Sequence, residues 1–599
     1  MKSPARVVPR PAPGSRPGTL PPPAGPARPG AKVETRAAAA VVAASGWFCT
    51  LRNGLSDPSN PQPATAARRG EAGLHSRLRA APTADRLFLS LRWLWLWLAM
   101  GGLFAAGFVG AEEPPGSPSP PLYALVVGGG PDVASNAAQI EGHVRFVAGL
   151  LPAAARRTVL FADGRNDADT VTQADARPAA EARRALAVLL ADHDAEEPVT
   201  VRAPRLGVPV DGPARLADFR RALGRFSNRL TRQPAPLLLY FAGHGTQDEK
   251  NETGTHYDLW EGEALTVHVL ADEIARLPRG GPVVLVMAQC FSGAFADVLF
   301  RGGEPGGTPA GENIVGFFSA EKDREAAGCS YATGRGDYQD FSSYFFGALC
   351  GRDRFGDAVA GADYDGDGAV SLHEAFCYAL IHDPSADTPV CTSDVFLRTR
   401  AGLPSAKIYG VPYREVLEEA TPGQRAVLEA LSERLELSGE ARAVAVFDRL
   451  TYGDPAARPE LLQAQAQAKA RLGDLRQREL GRLFERWPAL RWGDVEADGY
   501  KKASAGAVDE LGADEARRSA LLEAGNAVER ADEAVENEAA ALQRFASVYE
   551  HLAEARRLRG QGGGEIKAQY EKLWQAEQRV LPLAAPDKGP AAPANLRPR

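Results

Sequence analysis

Cysteine is scarce in this chain: six residues among 599 are too few for a disulfide framework. Cys49 lies in an N-terminal stretch set apart below. If Cys290 must stay a thiolate, Cys329, Cys350, Cys377 and Cys391 are left to form two bridges, in one of three pairings, or to remain buried thiols. Clustered positive charge is missing from the body of the chain. Residues 1–92 carry 14 Lys/Arg against 4 Asp/Glu, so with an overall charge of −7 the remainder carries −17. An acidic body lacks the basic field that phosphate backbones require, which argues against nucleic acid as the main partner. Apolar periodicity is absent from residues 1–85, a Pro-, Ala-, Arg- and Gly-rich stretch that cannot bury enough surface to fold. It reads as a disordered arm or an over-extended translation start.

Other absences remove whole chemistries. Gly128-Gly129-Gly130-Pro131 lacks GxGxxG spacing, and Pro131 interrupts the helix entry, so it is no dinucleotide fingerprint. His373-Glu374 has no second histidine four residues after the first and is not a zinc-protease helix. Arg335-Gly336-Asp337 is explained by chance. No heptad is sustained enough to make a coiled coil.

What is present has the composition of a soluble globular protein, 44% hydrophobic and 24% charged, with room for several domains. Arg86 and the apolar run Leu87–Ala111 have the basic start, apolar middle and small terminal residue of a signal peptide; the alternative is an uncleaved membrane anchor. Both place the rest of the chain outside the cytoplasm, in the periplasm, the cell envelope or the medium. A Pro-rich linker (112–121) follows. From Leu122 short apolar runs at Leu122–Val127, Thr158–Phe161, Leu237–Phe241, Val283–Met287 and Ile314–Phe318 alternate with helical patterns at Asn136–Leu151, Glu181–Leu190, Leu216–Leu230 and Val267–Leu277. That alternation predicts an α/β domain over 122–405 with a mainly parallel sheet. Residues 411–581 lose strand-like runs and read as helical, with long amphipathic stretches at Glu460–Trp487 and Glu515–Arg557; the tail 582–599 is Pro/Ala-rich and reads as disordered.

Two loops carry chemistry. Leu237–Phe241 ends in Ala242-Gly243-His244-Gly245-Thr246, and Val283–Met287 ends in Ala288-Gln289-Cys290-Phe291-Ser292-Gly293. Functional groups gather at the carboxyl ends of neighbouring parallel strands, so one crossover helix between these runs brings His244 and Cys290 to the same edge. A thiol becomes a nucleophile when a base raises its thiolate fraction, and histidine does this near neutral pH. A helix predicted at Ala294–Phe300 turns its N-terminal dipole toward Cys290. The backbone N–H groups of Gly245 and Cys290 are the candidate oxyanion donors. His256 and His268 compete with His244 as base only in principle, one lying in a loop and the other in a helical pattern.

The GHG and QCFSG blocks, 46 residues apart, resemble the His-Gly and Cys-x-Ser-Gly blocks of clan CD cysteine peptidases, the group of legumain, caspases, metacaspases and gingipains. The resemblance covers roughly Leu122–Leu403, including LYALVVGGG at the start and IVGFFSAEKD beyond Cys290. It implies a caspase/legumain-like three-layer sandwich, followed here by an all-α region, and endopeptidase activity through an acyl-enzyme, with Cys290 attacking and His244 handling protons. Metacaspases carry an acidic residue two before the nucleophile where this chain has Ala288, so their preference for basic residues does not carry over. Acidic candidates for a specificity pocket stand instead after the next strand: Asp323, then Glu321 and Glu325.

Residues 363–374, Asp-Tyr-Asp-Gly-Asp-Gly-Ala-Val-Ser-Leu-His-Glu, resemble an EF-hand loop at its ligand positions. Asp363, Asp365 and Asp367 supply carboxylate oxygens, Ala369 its carbonyl, Ser371 a direct or water-mediated contact and Glu374 two closing oxygens for a calcium ion, with Gly368 at the sharp turn. Only Leu372–Ile381, on the C-terminal side, reads as a full helix, and no second loop pairs with it, so a stabilising role is expected. The expectation is an exported, calcium-binding cysteine endopeptidase acting on protein or peptide substrates, itself included, with Arg301–Gly311 as a flexible processing site or lid. The alternative is a non-catalytic scaffold of the same fold whose C-terminal helices bind a protein partner.

Overall fold

The computed structural model describes residues 122–583 except 192–197, 280, 312, 401, 453–457, 493–497 and 561–563. The arm, the export or anchor segment, the linker and most of the tail lie outside the described residues. In chain order the strands are β1 (Tyr123–Gly129), β2 (Arg156–Phe161), β3 (Val171–Ala174), β4 (Val199–Arg202), β5 (Leu237–Gly243), β6 (Gly245–Thr246), β7 (His256–Asp258), β8 (Ala264–Thr266), β9 (Val283–Ala288), β10 (Ile314–Phe318) and β11 (Val390–Cys391). Six of them form one sheet in the order β11-β10-β9-β5-β1-β2, parallel except for β11. Every residue of β1, β5, β9 and β10 is buried, which is why these strands read as unbroken apolar runs rather than alternating ones.

Helices α1 (Ala138–Leu150), α2 (Pro178–Leu190), α3 (Leu216–Leu230), α4 (Val267–Ala275), α5 (Phe341–Cys350), α6 (Leu372–His382) and α7 (Thr392–Arg400) belong to the sheet-containing half. Between β5 and β9 the chain adds the antiparallel β6-β7-β8 sheet before the expected crossover helix α4. Strands of two or three residues are too short to leave a periodic signal, and these were not predicted.

Among the described residues eight α-helices follow: α8 (Ser405–Ile408), α9 (Tyr413–Glu419), α10 (Pro422–Arg434), α11 (Arg442–Tyr452), α12 (Pro459–Arg486), α13 (Asp498–Ala513), α14 (Glu515–Gly560) and α15 (Glu565–Glu577). They do not stand apart from the sheet. Val416, Val427 and Leu428, with Leu542, Phe545, Tyr549 and Leu552 at helical spacing on α14, share one apolar core with Leu372, Phe376 and the strands. Each such side chain contributes about 1.5–3 kcal/mol by leaving water. A second cluster joins Ala182, Leu186 and Leu189 of α2 to Leu483, Ala507, Leu511 and Leu521.

The last helix is pinned by a buried carboxyl. Glu577 accepts from Thr392 Oγ1 at 2.8 Å, Ser393 N–H at 2.8 Å and Ser393 Oγ at 2.6 Å. Burial, the dominant cause, pushes its carboxyl up to about 7 from an ordinary 4.5. Between those values the folded state holds a proton that the unfolded state has released. This group's contribution to stability is therefore full below about 4.5 and is lost as pH rises through about 7. Urea unfolding at several pH values should show Glu577→Gln losing less stability than the parent across that window, by an amount on the order of a few kcal/mol. Parallel curves for the two proteins would refute the linkage.

Candidate functional site

Strands β5 and β9 pair in parallel from Leu237↔Val283 to Ala242↔Ala288. His244 and Cys290 each stand two residues past the last of these pairs, on the loops that leave the two neighbouring strands. The loops touch. A Cβ on Gly245 would lie 2.3 Å from the Cys290 carbonyl oxygen and 2.9 Å from Gln289 Cγ, so only glycine lets the histidine loop lie on the cysteine loop. Gly245 and Cys290, the residues named for their backbone N–H groups, are the two that meet in this contact.

His244 Nε2–H donates to Ser135 O at 2.8 Å. A carbonyl oxygen only accepts, so in the neutral ring the proton sits on Nε2 and the lone pair on Nδ1. The Ser135 turn follows β1 at the same sheet edge, and a Cβ on Gly130 would come 2.6 Å from its carbonyl carbon. The Gly-rich run after β1 therefore serves close backbone approach. Asp258 N–H donates to His244 O at 3.0 Å, and the Asp258 carboxyl accepts from Thr246 Oγ1 at 3.1 Å. Burial holds that carboxyl above the usual carboxylate range, against the pull of His256, Thr246 and His244.

Cys290 is 3% exposed, and Phe291 after it adopts the left-handed region at φ 59°. That conformation costs a non-glycine residue roughly 1–2 kcal/mol. The α-helix expected at Ala294–Phe300 is instead a run of 3-10 turns over Ser292–Leu299, so the dipole facing Cys290 is that of a shorter, less aligned array. The sulfur finds another positive group. Ala326, in the segment beyond β10, donates its N–H to Cys290 Sγ at 3.3 Å, and its carbonyl accepts the S–H of the thiol form at the longer distance of 3.8 Å. Phe291 N–H to Arg324 O (2.7 Å), Gly293 N–H to Ala320 O (2.8 Å) and Ala320 N–H to Ser292 Oγ (3.2 Å) stitch the two segments together.

Cys329, Cys350, Cys377 and Cys391 are thiols rather than bridges. Burial pushes the last three thiols up, which leaves them protonated. The competing histidines are engaged elsewhere: His256 Nε2 lies 3.3 Å from Asp258, and the exposed His268 donates Nδ1–H to Gly302 O at 2.9 Å. The segment Arg301–Gly311 is tied across its base by Arg301 N–H to Thr308 O at 2.9 Å.

Of the acidic residues after β10, Glu321 accepts from Arg398 Nη1 at 2.6 Å, and Asp323 is exposed. Both line a cavity of about 370 Å³, with Arg398 and with Gln543 and Glu550 of α14; half-buried Glu325 is not part of its lining. In the acidic loop, Asp363, Asp365 and Glu374 bring one carboxylate oxygen each within 4.8 Å of one another, and Asp367 falls outside that group. Asp363 accepts from Gly366 N–H at 2.8 Å and Gly368 N–H at 3.0 Å, while Asp367 accepts from Ala369 N–H at 2.8 Å. Ser371 caps α6, with Glu374 reaching back to its N–H at 2.9 Å. No helix enters the loop: Phe355–Ala362, short and glycine-containing, is irregular chain, and only the C-terminal side is helical. Hard oxygen donors suit a hard divalent cation, yet acidic loops without an ion hold the same groups, so the trio alone assigns none.

No protein-family model matches the chain, and no curated protein matches it. The ends of β5 and β9 carry a thiol, an imidazole and glycine-flanked backbone, residue types that acyl transfer can use. Two contributors carried no residue-type signal in the sequence, namely the Ser135 carbonyl and the Ala326 N–H. Only the position of the first, on the turn after β1 at the shared edge, could have pointed to it.

Proposed function

We propose that this chain is a cysteine endopeptidase of caspase/legumain-like fold, exported or membrane-anchored through residues 87–111. The observation that carries the reading is that His244 and Cys290 leave the ends of the paired strands β5 and β9, with Gly245 laid on the Cys290 carbonyl. Cys290 passes its proton to His244 Nδ1, and the thiolate attacks the substrate carbonyl carbon. The resulting oxyanion lies against the Gly245 and Cys290 N–H groups. Collapse breaks the C–N bond, and the leaving amine takes the proton from His244. Water, deprotonated by the same ring, then hydrolyses the thioester and frees the acid. Glu321 and Asp323, candidates for recognising a basic substrate side chain, border a cavity whose lining includes neither Cys290 nor His244. The test is digestion of a mixed peptide library by the chain beside its Cys290→Ala version; cleavage that persists without the thiol overturns the reading.

Calcium at 363–374 fits the donor set: Asp363, Asp365, Asp367 and Glu374 offer carboxylates, Ala369 a carbonyl and Ser371 a hydroxyl. The ion would bind them and hold the start of α6, stabilising the fold by about 2.7 kcal/mol at a hundredfold excess over Kd. Thermal unfolding with calcium and with a chelator should differ for the parent and coincide for Glu374→Gln. Equal unfolding of the parent in both conditions refutes calcium binding.

A further inference from the structure

Arg544 sits within α14 at 1% exposure, and its guanidinium is spent on a segment outside the helical region. Nε donates to Asp387 O at 2.8 Å, Nη1 to Asp383 O at 2.6 Å, and Nη2 to Ser385 O at 2.9 Å and Asp383 Oδ2 at 3.2 Å. Burying a guanidinium is costly, and packing alone would call for an apolar side chain. A planar fork with several acceptors does what packing cannot: it fixes the shape of the 383–387 turn. At the end of that turn the buried Asp387 carboxyl, which burial pushes well above the usual carboxylate range, accepts Ala327 N–H at 2.7 Å and Phe341 N–H at 3.0 Å. Ala327 follows Ala326, whose N–H points at the Cys290 sulfur from 3.3 Å. A continuous series of directional bonds thus runs from the C-terminal helices to the thiol.

We propose that Arg544 is a positioning residue for Cys290: through Asp387 it holds the Ala326 N–H on the sulfur and favours the thiolate. The proposal rests on the reading of Cys290 as the nucleophile. A hydrogen bond to a charged acceptor is short and strong, and it favours the ionised sulfur over the thiol. The C-terminal helices thereby become part of the machinery rather than an appended binding module.

The experiment compares the full chain with its Arg544→Lys and Asp387→Asn variants. Alkylation by iodoacetamide at pH 7 is followed at each cysteine by mass spectrometry, beside kcat and KM on a cleaved peptide. Alkylation of Cys290 should slow by about tenfold or more, the contribution of one hydrogen bond to a charged group. Cys377 and Cys391, buried in the neighbouring α6 and β11, should stay unreactive, and kcat should fall with KM little changed. If Arg544→Lys makes Cys377 and Cys391 react as well, it has opened the fold and Asp387→Asn decides. Unchanged or faster Cys290 alkylation in Asp387→Asn overturns the proposal, as does general exposure of the buried thiols in both variants. Failure of the parent to cleave any peptide counts against the peptidase reading instead, and leaves the alkylation comparison standing.

Discussion

Replacing Cys290 with alanine is expected to lower peptide-bond cleavage by about 10⁴-fold or more, to the background of the assay. No neighbouring thiol can substitute. Burial keeps Cys350, Cys377 and Cys391 protonated, and Cys329 donates its S–H to Gly243 O at 3.3 Å. His244→Ala should cost a comparable factor, because a thiol with no base is a poor nucleophile at neutral pH. The two losses should not add, since each removes the same step. Initial rates for the parent, both single variants and the double variant check this. A double variant slower than either single one by the product of their effects would mean that Cys290 and His244 do not act as a pair.

Gly245→Ala is the second large effect. Its Cβ would meet the Cys290 carbonyl oxygen at 2.3 Å, a backbone atom with no flexible end to give way. Ordinary contact begins about 1 Å further out, so one loop must retreat by that distance. A displacement of about 1 Å between reacting groups can cost roughly 10²-fold in rate. The expected result is a fall of that size in kcat/KM with little change in Tm, since Gly245 lies beyond the six-stranded sheet, in the two-residue strand β6. Calorimetry and steady-state kinetics on the same sample separate the two quantities. A Gly245→Ala enzyme with parental kcat/KM would show that the contact does not set the geometry of the reacting groups.

The elements legible in the sequence are those whose burial leaves a pattern. The strands buried on both faces, β1, β5, β9 and β10, show as unbroken apolar runs, and α3 was bounded correctly at Leu216–Leu230. The juxtaposition of His244 and Cys290 followed from two such strands being neighbours. The edge strand β11 was invisible, because two residues carry no period. Groups supplied by the backbone were equally hidden: a carbonyl at Ser135 or an N–H at Ala326 is written in no side chain. Arg544 was hidden for another reason. An arginine in a long amphipathic helix looks like part of a solvated face, and only tertiary packing turns it inward. The helix expected after Cys290 failed because Phe291 takes a left-handed turn and the following residues close three-residue rather than four-residue rings.

The composition changes near residue 411, but the core does not. Tyr413, Val416, Phe545 and Tyr549 fill the same interior as Phe376 and the strands, while α14 reaches α2 with its first half and the end of α6 with its second. A boundary visible in amino-acid usage is therefore not a boundary in the molecule. A gene rearrangement that carried off the sheet without the helices would deliver a product with its apolar flank open to water and the 383–387 turn stripped of its bonds from Arg544. The two stretches can drift in sequence at their own pace, but they can only be inherited together.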